Sequence, residues 1–144
     1  MSYDMMTKVE DGWIGQLQLN TYIDTNNIPV SHFRQNGQDA EHNSITVFAR
    51  LPRTGRDRDQ DTWLIPTQIM CYTHSADDED IELLRKLIDA VFAVAIENDL
   101  GDFSTSGNIN FLGIGFDEDH DEEYDDKKQL VIINLVTTVT DVNQ

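Results

Sequence analysis

The chain has 144 residues, 27 acidic and 10 basic, for a formal charge of −17, with 39% hydrophobic and 8% aromatic side chains. That length suits one domain able to bury roughly 70% of its unfolded surface, and the apolar content is too high for a disordered chain. The charge argues against plain phosphate-backbone binding, no apolar run reaches the roughly 18 residues of a membrane span, and a single cysteine, Cys71, excludes an internal disulfide framework or a thiolate metal cluster.

The amino-terminal MSYDMMTKVEDGW lacks the basic-then-apolar order of a secretory signal, so a soluble protein of a reducing compartment is expected. The first 25 residues carry two periodicities. Met5, Met6, Val9, Trp13 and Leu17 recur at helical spacing, whereas Trp13, Leu17, Leu19 and Ile23 alternate with polar residues as in a strand. Gly12 and Gly15 each weaken a helix by about 1 kcal/mol relative to Ala. The helix is the preferred reading and the strand its alternative.

Short strands are predicted over Ile28–Arg34 and Ser44–Leu51, separated by the polar stretch Gln35–Asn43. The charged segment Pro52–Asp61 then forms the long tip of a hairpin whose second strand is Thr62–Tyr72. Pro66 within that strand points to an edge position or a bulge, because proline cannot donate to a ladder. Ser75 is a candidate helix cap, with Asp77, Asp78, Glu79 and Asp80 in the first turn where the helix dipole favours anions. This helix pairs Glu82 with Lys86 and is expected to stop at Gly101. Its second half, from Ala90, is apolar all round and must be covered on more than one side. The bulk of it reads as core, while one face, carrying Phe92, is a candidate oligomer interface, with the first segment available to cover the other side.

Two strands close the chain, Asn108–Phe116 and Gln129–Val139. Gly113 and Gly115 inside the first mark a bulge or a close backbone approach. Both faces of the last strand are largely apolar, so it belongs at the centre of the sheet or under cover on both sides. The expected fold is α+β: a mostly antiparallel sheet of about five strands against one long helix, with a possible N-terminal helix.

Two blocks of charge stand out. Phe116–Lys128 reads as a solvated acidic loop holding Asp117, Asp119, Asp121, Glu122 and Glu123. A calcium loop beginning at Asp117 would need Gly where Glu122 stands and Glu where Lys128 stands, so the EF-hand pattern fails, leaving a looser cation site as the alternative. Arg50, Arg53, Arg56 and Arg58 gather four of the 10 basic residues, interleaved with Asp57, Asp59 and Asp61. They form either a salt-bridged hairpin tip, a phosphate contact, or a patch that meets the acidic loop of a neighbouring subunit. The last is preferred over nucleic-acid binding. His32, His42, His74 and His120 form no HExxH or His-x-His spacing and read as surface or loop histidines, and Cys71 in an apolar strand reads as a buried, inert thiol. No nucleophile elbow, phosphate loop or dinucleotide fingerprint is present, so neither an enzyme nor a resident cofactor or metal is expected.

The segments DTWLIPTQIMCYTH (Asp61–His74), DDEDIELLRKLIDAVFAVAIEND (Asp77–Asp99) and QLVIINLVTTVTD (Gln129–Asp141), in this order, resemble the tail-terminator proteins of long-tailed bacteriophages, the group of the lambda-type minor tail protein U and tail-to-head joining proteins. The resemblance covers about the last 100 residues and is a pattern of elements, not a diagnostic motif. It implies a virion structural protein, assembled in the host cytoplasm, that forms a hexameric ring. Such a ring caps the tail tube protein, joins a head-side connector, and lets DNA pass through its lumen without specific binding. A closed ring needs two different complementary patches per subunit, which the Arg-rich tip and the acidic loop supply. The unusually acidic loop departs from the group's pattern and leaves a neck or head-completion protein as an alternative. A separate alternative is an acidic DNA mimic that occupies a host protein's DNA site.

Overall fold

The computed structural model describes residues 3–33, 43–54, 62–73, 78–117, 121–124 and 129–140. Helix α1 (Tyr3–Gln18) opens the chain and settles the ambiguity of the first segment. Met5, Val9, Trp13 and Leu17, one side of a 3.6-residue period, are all buried. The two glycines that weaken the helix are what lets it pack closely. A Cβ on Gly12 would lie 2.6 Å from the ring of Phe111, and one on Gly15 would lie 2.8 Å from Ser106. A short α2 (Thr21–Thr25), capped by the Asn20 side chain, then leads to β1 (Val30–His32).

The hairpin expected next is present. β2 (Ser44–Ala49) runs antiparallel to β4 (Thr62–Thr73), and β3 (Arg53–Thr54) prolongs β2 along the same side of β4. Helix α3 (Asp78–Glu97) follows, then α4 (Leu100–Gly107), β5 (Asn110–Phe116), β6 (Asp121–Tyr124) and β7 (Gln129–Thr140). The sheet order is β1-β2-β4-β7-β5, with β3 beside β4 and β6 beside β7. The α+β class and the five-column sheet match expectation. The sheet is mixed, however, because β1 runs parallel to β2, and the helices α2 and α4 are additional.

Strand β7 is central, paired with β4 from Gln129↔Thr73 to Thr140↔Thr62. Pro66 is also central, but at an interruption. Between Ala49↔Thr67 and Arg53↔Leu64, residues 50–52 stand opposite 65 and 66, so the flanking strand carries one extra residue. The Arg50 N–H donates to the Pro66 carbonyl at 2.8 Å, so Pro66 turns its missing donor toward the break, where no ladder bond is lost.

Odd-numbered positions of the central strands form the core face: Ile65, Ile69 and Cys71 on β4, and Val131, Ile133, Leu135 and Val139 on β7. Both long helices lie on this face. Trp13 Nε1 donates to Thr137 Oγ1 at 3.0 Å, Thr137 and Thr67 join hydroxyls at 2.9 Å, and α3 adds Leu84, Leu87, Val91 and Val94 to the same core. The first segment therefore covers the same side of the sheet as α3, not the opposite one.

Several boundaries differ from expectation. Gly101 does not end the long helix; α3 stops at Glu97, and Asp99 caps α4 by accepting the Gly101 N–H at 3.1 Å. Asn108 is not in a strand but closes α4 in the left-handed conformation, at φ 56°. The acidic stretch is not wholly a loop, since Asp121–Tyr124 pairs with the start of β7 as β6. Ser75, Asp77 and the strand residue predicted at Arg34 lie outside the described residues.

Candidate functional site

The two sides of the sheet are finished differently. On one side β1 covers β2 from Ile45 to Val47. Just beyond β1, the Ala49 N–H that would otherwise be unpaired donates to Glu10 Oε2 at 2.8 Å. Glu10 comes from α1 and is fully buried. Its other oxygen meets His32 Nδ1 at 2.8 Å, and His32 Nε2 lies 3.2 Å from Asp11 Oδ1. A protonated imidazole donates to both carboxylates at once, a neutral one to a single partner. His32 is thus not a surface or loop histidine: its side chain is 21% exposed and ties α1 to β1. His42, His74 and His120 lie outside the described residues.

On the other side β5 and β6 lie in line along β7. The ladder is bulged between Phe111 and Gly113, as the glycines predicted. Ser104 Oγ of α4 accepts the Phe111 N–H at 2.8 Å and closes the start of this edge. Asp117 N–H donates to the Asn134 carbonyl at 2.9 Å, which fixes the phase of the strand. Gly115 and Gly113 therefore turn their backbone groups toward β7, while Ile114 and Phe116 turn theirs outward. Among the described residues nothing caps these outward groups. A Cβ on Gly113 or Gly115 would meet no atom within 4 Å, so no close backbone approach occurs there.

This open edge carries apolar side chains. Leu112 is 46% and Phe116 40% exposed. Phe92 of α3 is half-buried, its ring centroid 5.1 Å from that of Phe116, and Ile96 one turn later is 69% exposed. Phe92, read from the sequence as an interface candidate, thus borders the open edge.

The predicted charged residues divide by position. Arg50 and Asp117 line one open cavity of about 920 Å³ floored by Pro66, Gln68 and Asn134, in which Gln68 Nε2 donates to Asn134 Oδ1 at 3.2 Å. Arg53 lies in β3 opposite Leu64, and Asp121, Glu122 and Glu123 lie in β6 opposite Ile132, Val131 and Leu130. Arg56, Arg58 and Asp119 lie outside the described residues. Through β4 and β7, β3 falls at the level of Gly113, while β6 falls at the level of Met70–Thr73. The basic and acidic strands therefore occupy diagonally opposite corners, roughly 20 Å or more apart along the strands and about 14 Å apart across them. Within one chain they do not meet.

Cys71 is buried at the sheet centre, and burial pushes its thiol up to about 12. Among the described residues no group of three or more His, Cys, Asp or Glu side chains is placed to hold a metal ion, and no helix is long and apolar enough to cross a membrane. Sequence reasoning missed Glu10 and His32. The signal available was an acidic residue wedged beside Val9 in the apolar repeat of α1.

No family model matches the chain, and no curated protein matches it in sequence. Its fold is similar to that of a chain in the solved virion of a native gene transfer agent particle, with a TM-score of 0.67 at 12% identity, covering 89% of this chain and 91% of that one.

Proposed function

We propose that this chain is a non-enzymatic structural protein of a phage-like virion, a tail terminator whose subunits close into a hexameric ring. The observation that carries the reading is the fold likeness to a virion chain along nearly the full length of both molecules. The resemblance of the three quoted segments to tail terminators supplies the finer role: capping the tail tube and offering a surface to a head-side connector.

The charge geometry supports a ring. Head-to-tail contacts need two different patches on one subunit, placed so that one subunit cannot satisfy both itself. The β3 corner and the β6 corner meet that requirement, with opposite charge and a diagonal separation. Excess negative charge also suits a channel through which DNA slides without adhering, because like charges repel along its wall.

The test is the solution mass by light scattering at low and high salt. A mass near six times 16.5 kDa, falling as salt rises toward about 1 M, is expected if exposed charge pairs join the subunits. A single-chain mass at every concentration and salt overturns the reading.

A further inference from the structure

The geometry points to the open edge of β5, over Leu112–Phe116, as the acceptor for the Leu51–Thr54 segment of a second copy of this chain, added as one more antiparallel strand. This rests on the ring reading above and names the main-chain contact that would build it.

An edge strand with outward N–H and C=O groups is a template for another strand, and proteins ordinarily blunt such edges with lysine, proline or a covering element. Here the blunting is partial. Ser104 closes the edge at Phe111, but Leu112–Phe116 (LGIGF) has neither lysine nor proline, and Ile114 and Phe116 direct four backbone groups outward. A Cβ at Gly113 or Gly115 would meet no atom within 4 Å, so the sheet face above this stretch is open.

Three features select the occupant. The first is direction. β2 runs antiparallel to β4, β4 to β7, and β7 to β5, and β3 likewise runs antiparallel to β4. A neighbour related head-to-tail therefore brings its β2–β3 side against this β5 in antiparallel sense. The second is charge. The acceptor edge runs on into Asp117 and the acidic β6, while Arg50 precedes the donor segment and Arg53 lies within it. The third is apolar surface. Leu51 is 68% exposed and matches the exposed Leu112 and Phe116. Arg53 turns its backbone groups toward Leu64 of its own β4, so the outward groups of the segment are those of Pro52 and Thr54. Meeting Phe116 and Ile114 with them places Arg53 opposite Gly115. Pro52, which cannot donate, accepts from the Phe116 N–H, and Thr54 exchanges both of its backbone bonds with Ile114.

The experiment is the double variant Arg53→Cys/Gly115→Cys, oxidised mildly in the native state. These positions lie across β4 and β7 from one another, about 14 Å apart in one chain, beyond the roughly 7 Å Cα limit of a disulfide. The native Cys71 is buried with its thiol pushed up to about 12, so it contributes no background. The expected result is a ladder of covalent multimers on a non-reducing gel, absent from either single variant. A multimeric mass without the ladder overturns the strand contact and leaves the ring reading standing. Efficient dimers from Gly115→Cys alone show β5 pairing with another β5 and overturn it as well. A single-chain mass for the unmodified protein overturns both. Circular dichroism of the double variant, unchanged from the parent, establishes that each result comes from the folded chain.

Discussion

The two edges of this sheet solve the same problem in opposite ways. On the β1 side every outward backbone group with a described partner is met from within: β1 covers Ile45–Val47, and the buried carboxylate of Glu10 accepts the Ala49 amide. On the β5 side, among the described residues, protection stops at Phe111, and Leu112, Gly115 and Phe116 beyond it are exposed. A buried carboxylate is an expensive cap, because taking a charge out of water costs several kcal/mol unless it is fully paired. A fold that places a buried carboxylate on one edge and, among its described residues, no cap on the outward groups of Ile114 and Phe116 is asymmetric in the sense a head-to-tail assembly requires.

The sharpest way to break the contrast is to remove the cap. Glu10→Ala leaves the Ala49 amide unpaired and His32 with Asp11 alone. A loss of about 3–5 kcal/mol is expected by urea unfolding, the range for breaking a buried charge pair. Glu10→Gln keeps an acceptor for Ala49, and the expected loss is smaller, about 1–3 kcal/mol. Equal effects from the two variants would mean that the carboxylate charge, not the amide cap, is what matters.

The contrast was only partly legible in the sequence. The hairpin, the acidic-start helix and the central position of β7 follow from local signals: alternation over Ser44–Leu51, clustered Asp and Glu before an apolar repeat, and a strand apolar on both faces. The bulge at Gly113 was legible because glycine within a strand signals one. The parallel placement of β1 was not, since parallel and antiparallel neighbours share one alternation. Gly101 misled because glycine ends helices often, while the Asp99 cap that restarts one differs from a terminator only through tertiary context. The interface candidates were readable as charge, but their diagonal placement depends on ladder registers that no local pattern encodes. Glu10 was hidden for a related reason: a lone acid beside an apolar stripe reads as solvated until a strand end is found needing its oxygen.

A smaller perturbation loosens the helix that carries the cap. Trp13→Phe removes the indole N–H that Thr137 accepts, leaving the Thr67–Thr137 hydroxyl pair and most of the ring's burial in place. An expected loss of about 1–2 kcal/mol is the scale of one buried hydrogen bond with its desolvated partner. If α1 is what protects the β1 side, hydrogen exchange at Ala49 should quicken in this variant while exchange at Ile114 stays as it was. Parallel acceleration at both edges would show that α1 stabilises the sheet globally and that the two edges are not separately controlled.

Smaller again is Ser104→Ala, which removes the one described cap on the β5 side. About 1 kcal/mol is expected, together with faster exchange at Phe111. The substitution extends the open edge by one residue and should leave the Glu10 side untouched.

The least effect on stability is expected at Gly115→Lys, and there the contrast between the edges becomes most informative. Gly115 is exposed, and a side chain at this position meets no atom within 4 Å, so folding should change by no more than about 0.5 kcal/mol. Lysine on an edge strand is nevertheless one of the devices by which natural sheets refuse a further strand. If the β5 edge accepts the neighbour's Leu51–Thr54, Gly115→Lys should reduce the assembled mass to that of one chain while its unfolding midpoint stays at the parent value. A lysine on the exposed helix face, at Asp89, adds more positive charge without blocking an edge and should leave assembly intact. Loss of assembly in both variants would assign the effect to net charge, and loss in neither would place the subunit contact away from β5. Only selective loss at Gly115 ties assembly to the backbone groups of Ile114 and Phe116, which no described residue caps.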